Sequence, residues 1–81
     1  MSERSFKVLV VDDEELVRRL ISMVLKDLGC DVVGEEADGN AALETFKVAQ
    51  PDVTFLDIDM PGANGLEVLQ RIQALNPDAA V

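Results

Sequence analysis

The chain has 81 residues, seven basic and sixteen acidic, for a net charge of −9. That length allows one small domain, and a hydrophobic content of 48% fits a folded chain rather than a disordered one, while the acidity argues against contact with nucleic acid phosphates. With no histidine and a single cysteine, Cys30, the sequence excludes Ser-His-Asp and Cys-His catalysis, imidazole metal ligation and an internal disulfide.

Site chemistry must therefore run on carboxylates, which favour hard cations such as Mg²⁺. The first apolar run, from Phe6, stops at Asp12, too short for a signal peptide or a membrane span. The expectation is a cytoplasmic protein without membrane contact.

Phe6 to Val11 is a nearly continuous apolar run rich in valine, which predicts a strand buried on both faces of a parallel sheet. It ends on Asp12 and Asp13. Helical spacing follows from Glu14 to Leu28, with Leu16, Leu20, Val24 and Leu28 every four residues, joined by Val17, Ile21 and Leu25. Either aspartate is placed to cap this helix, and Gly29 to end it. Arg18, Arg19 and Lys26 fall on its solvated face, and Cys30 reads as a small buried hydrophobe.

Asp31 to Glu35 is a half-polar strand suited to a sheet edge, with Glu35 and Glu36 solvated. Glu36 to Asn40 reads as a turn with Asp38 as a cap, and Ala41 to Ala49 as a short helix stopped by Pro51. Val53 to Asp57 is a third strand, again closing on a carboxylate. Pro61, Gly62 and Gly65 then impose a loop. Asn64 and Glu67 have capping-box spacing before a helix carrying Leu66, Leu69, Ile72 and Leu75. Ala79 to Val81 resembles the start of a fourth strand.

The order β-α-β-α-β-α predicts right-handed crossovers, a parallel sheet and a doubly wound α/β fold. In such a sheet the first and third strands are neighbours, and their C-terminal ends share a crevice. Asp12, Asp13 and Asp57 then meet in one pocket. Two like charges about 4 Å apart repel by roughly 4 kcal/mol at an effective dielectric of 20. Either a proton on one carboxyl or a cation among them relieves this. An all-oxygen donor set favours Mg²⁺. A lone aspartate at a strand end is ordinarily a cap or a turn residue; two such ends in one sheet weaken that reading.

These features resemble the receiver domain of bacterial two-component response regulators. Val8 to Asp13 is similar to the family's first strand with its acidic pair. Phe55-Leu56-Asp57-Ile58-Asp59-Met60-Pro61-Gly62-Ala63-Asn64-Gly65 is similar to its phosphorylation-site strand and loop, and Asp38-Gly39 with Ala41 to the turn before its second helix. The likeness covers essentially the whole of residues 1–81 as one receiver domain, cut short on its C-terminal side. It implies a flavodoxin-like fold with strand order 2-1-3 and a stub of the fourth strand. It also implies Asp57 as the phosphoacceptor, Asp13 and Asp57 as Mg²⁺ ligands, Asp12 acting mainly through water, and the Asp59 backbone carbonyl as a further ligand. Met60, Pro61 and Gly65 shape the loop. The donor implied is a phosphohistidine on a histidine kinase or a histidine phosphotransfer protein, and the function is signalling rather than enzymatic turnover.

The family's fourth strand ends on Thr or Ser and its fifth on Lys, and neither has a counterpart up to Val81. Phosphorylation is therefore expected to be slow. An uncovered third strand is also an open edge, which invites homodimer formation. Two rivals stand beside the receiver. Asp57-Ile58-Asp59 matches the Asp-x-Asp of haloacid dehalogenase-type phosphatases, although Met60-Pro61-Gly62 does not continue that motif and Asp12-Asp13 has no role in it. A degenerate receiver serving only as a dimerisation module is the other.

Overall fold

The computed structural model describes residues 6–57 and 65–76. Three strands, β1 (Lys7–Val11), β2 (Asp31–Glu36) and β3 (Val53–Leu56), alternate with three helices, α1 (Glu15–Asp27), α2 (Gly39–Ala49) and α3 (Gly65–Leu75). The strands form a parallel sheet in the order β2-β1-β3. The expected fold class and strand order are present. The fourth-strand stub at Ala79–Val81 and the Asn64 half of the capping box lie outside the described residues.

β1 explains the layering. Its side chains alternate between the two sheet faces, and all from Val8 to Val11 are buried. Leu9 and Val11 join Ala42, Leu43 and Phe46 of α2 and Val68 and Ile72 of α3 in one core. Val8 and Val10 join Leu25 of α1 in the other, with Ile21, Cys30, Val32 and Val53 packed around them. Cys30, expected to be buried, is half-buried and packs against this cluster as a small apolar residue.

Turn chemistry sets most of the boundaries. α1 ends in a Schellman motif: Cys30 N–H donates to the Leu25 carbonyl at 2.9 Å and Gly29 N–H to that of Lys26 at 3.0 Å, with Gly29 at φ +90°. Asp38 caps α2 by accepting the Ala41 N–H at 2.9 Å, and the helix starts at Gly39, two residues ahead of the expected Ala41. Gln50 closes α2 in the left-handed region at φ 50° before Pro51.

On two helices the buried side is not the most regular apolar stripe, and one expectation needs correction. The α1 stripe of Leu16, Leu20, Val24 and Leu28 faces away from the sheet and stays exposed, while Ser22 and Leu25 are the buried positions. α1 packs on β1 and β2 through its other side, and among the described residues no further element packs closely on the stripe. On α3 the buried pair is Val68 and Ile72, with Leu66 and Leu75 exposed. Glu36 is half-buried rather than solvated, and its Oε2 accepts the Thr45 hydroxyl at 2.6 Å.

Candidate functional site

After β1 the chain steps through α1 to β2 on one side, then crosses through α2 to β3 on the other. This reversal of direction opens a crevice at the C-terminal ends of β1 and β3. The register fills it with acid. Val8 to Val11 pair in order with Val53 to Leu56, so the next residues of the two strands, Asp12 and Asp57, emerge side by side. The Asp57 N–H continues the ladder by donating to the Val11 carbonyl at 3.0 Å, and the Asp12 N–H does so on the other side to Glu36 at 3.1 Å.

Asp12, Asp13 and Asp57 each offer one carboxylate oxygen to a cluster whose atoms all lie within 4.8 Å of one another. Asp12 is buried, Asp57 half-buried and Asp13 exposed. The gradient runs from a fixed floor to a solvent-facing rim. Of the other residues singled out in the sequence, Asp59, Met60 and Pro61 lie outside the described residues, and Gly65 opens α3.

Asp12 does not cap α1 directly. The N-cap position belongs to Glu14, whose side chain makes no capping bond. Instead Asp12 Oδ1 accepts the Glu14 N–H at 2.9 Å, an Asx-type contact that turns the chain from strand to helix. Sequence reasoning missed Arg18. It lies half-buried, and its Nη1 donates to the Asp12 backbone carbonyl at 2.8 Å. An arginine at helical spacing beside Arg19 carries no signal for this; only the fold of the β1–α1 turn reveals it.

The donor set fits a hard divalent cation. It consists of carboxylate oxygens alone, without nitrogen or sulfur, drawn together at a spacing that leaves them mutually repelled without a counter-charge. Among the described residues no helix is long and apolar enough to cross a membrane.

Comparison with known proteins places the arrangement. The profile of the response regulator receiver domain matches residues 8–81. The chemotaxis protein CheY of Thermotoga maritima is 33% identical over 75 residues, covering 93% of this chain and 62% of that protein. A solved complex of the histidine kinase ThkA with the response regulator TrrA superposes with a TM-score of 0.82 at 39% identity, covering 91% of this chain and 63% of the other. The CheX–CheY–BeF3–Mg²⁺ complex of Borrelia burgdorferi gives a TM-score of 0.84 at 28% identity, covering 90% and 56%. The chain thus spans less than two thirds of the length of each of these relatives. Fold, acidic crevice and profile agree, and the chain belongs to the response regulator receiver domain family.

Proposed function

We propose that this chain is a phosphoacceptor module of two-component signalling, with Asp57 receiving the phosphoryl group. The observation that carries the reading is the convergence of Asp12, Asp13 and Asp57 at the crevice. Asp13 and Asp57 would ligate Mg²⁺, Asp12 would act mainly through water, and the Asp59 carbonyl would complete the set. When bound, the ion offsets charge on the phosphoryl oxygens and orients them. The presence of Mg²⁺ and BeF3 in the Borrelia CheY complex supports this choice.

Asp57 acts as the nucleophile. Its carboxylate oxygen bonds to phosphorus as the phosphorus–nitrogen bond of a donor phosphohistidine breaks, and the imidazole leaves with the electron pair. Half-burial keeps Asp57 reachable by the donor while shielding the acyl phosphate from bulk water. Asp12, held from three sides, is a fixed wall rather than a reactant. A histidine kinase or phosphotransfer protein is the donor, supported by the ThkA–TrrA complex among the structural relatives. The module takes up one phosphoryl group and does not turn over substrate. Among the described residues β3 pairs with β1 alone.

Intact-mass measurement after incubation with phosphoramidate tests this. The expected result is one added phosphoryl group, dependent on Mg²⁺, stable to acid, labile to base and lost in Asp57→Asn. Phosphorylation that persists in Asp57→Asn, or continuous hydrolysis of a phosphate monoester, would overturn it.

A further inference from the structure

Three of the six basic side chains among the described residues serve their own helices. Arg19 pairs with Glu15 at 2.9 Å, Lys47 with Glu44 at 3.6 Å and Arg71 with Glu67 at 3.5 Å, all exposed. Lys7 contacts the Ala49 carbonyl at the far end of β1. Arg18 differs. It turns back from the first turn and a half of α1 to the strand end that bears the acids, and it is half-buried in doing so.

Its contact point matters. The Asp12 carbonyl and the Asp13 N–H belong to one rigid peptide plane. A guanidinium that fixes the carbonyl at 2.8 Å therefore fixes the orientation from which both aspartate side chains depart. The bond is charge-assisted, of the stronger kind. Two other contacts hold Asp12: its N–H to Glu36 and its Oδ1 from the Glu14 N–H. The second closes a ring that runs through the Asp12–Asp13 peptide, and the Arg18 bond holds the same plane at its carbonyl oxygen.

We propose that Arg18 is a positioning residue of the acidic pocket, gripping the Asp12–Asp13 peptide so that both carboxylates stay turned toward Asp57. The metal part of this inference rests on the reading of the pocket as a cation site. A rival role is simple counter-charge, and it has the opposite sign. A positive charge near the carboxylates weakens cation binding, so its removal would tighten it; loss of positioning loosens it.

The test compares wild type, Arg18→Ala and Arg18→Lys by two readouts. Calorimetric titration with MgCl2 should show binding about tenfold weaker in Arg18→Ala, the scale on which outer partners of metal ligands act. Arg18→Lys, which keeps the charge and a donor, should restore most of it. Amide exchange with water, followed by NMR without metal, should show lost protection at Asp12 and Glu14 in Arg18→Ala, with Leu9 unchanged. If Arg18→Ala fails to fold, Arg18→Met, which keeps an apolar stem but has neither charge nor donor, takes its place in both measurements. Unchanged exchange at Asp12 and Glu14, or Mg²⁺ binding that is equal or tighter in the alanine variant, would overturn the proposal. A wild-type protein that binds no Mg²⁺ would instead sink the cation reading, and the exchange data would still decide the case for Arg18.

Discussion

Replacing Asp57 with Asn isolates the electrostatics of the pocket, because the two side chains share a shape. One carboxylate oxygen from each of Asp12, Asp13 and Asp57 lies within 4.8 Å of the other two. At that separation a like-charge pair repels by about 1 kcal/mol in a water-like dielectric and by about 3 kcal/mol at an effective dielectric of 20. The buried Asp12 biases its pair with Asp57 toward the upper figure, and the exposed Asp13 biases its own toward the lower. In EDTA, Asp57→Asn should therefore stabilise the fold by about 1–3 kcal/mol. For a chain this short the urea m-value is about 1 kcal/mol/M, so the midpoint should rise by roughly 1–3 M. Magnesium should narrow the gap. An ion at ten times its Kd adds about 1.4 kcal/mol to a protein that binds it only when folded, and Asp57→Asn should gain much less. Urea titration followed by far-UV circular dichroism, with and without MgCl2, reads both effects. A variant no more stable than wild type in EDTA, or an equal Mg²⁺ response in the two proteins, would refute the reasoning.

A Cβ at Gly34 would lie 2.7 Å from Thr45 Cγ2 and 3.1 Å from Leu9 Cδ1, and the Thr45 rotamer is tied by its hydroxyl to Glu36. Gly34→Ala should cost about 1–3 kcal/mol through overpacking, and adding Thr45→Ser, which removes the methyl but keeps the hydroxyl, should recover part of it in a urea titration. Thr54 is 1% exposed and its Oγ1 has no hydrogen-bond partner among the described residues. Thr54→Val, nearly isosteric, should raise stability by about 1 kcal/mol, since it removes a buried hydroxyl that goes unsatisfied. If β3 pairs edge to edge between copies, light scattering should show a concentration-dependent dimer that Phe55→Lys weakens; a monomer at all concentrations would remove the edge from the account.

Much of this was legible in the sequence because single residues carried more than one constraint. The valines of β1 had to be buried on both faces, which required helices on both sides. Once the first and third strands paired in parallel, Asp12 and Asp57 followed as neighbours, since each ends its own apolar run. The helices were less legible. Spacing locates an apolar stripe but not the side that is covered. On α1 the stripe of Leu16, Leu20 and Val24 outweighs the sheet-facing side, whose centre holds Ser22, a residue that reads as polar. Gly34 and the register shift between Val8 and Leu9 gave no periodic signal, because a bulge disturbs only one position. Arg18 was out of reach because its partner is a backbone carbonyl, which any sequence would supply.

Fluorine NMR of the wild-type protein with beryllofluoride, an acyl-phosphate mimic, tests the central claim most directly. The account predicts a bound signal at one equivalent per chain, present with Mg²⁺, absent in EDTA and lost in Asp57→Asn. Binding that ignores the metal, or that survives the loss of the Asp57 carboxylate, would contradict it.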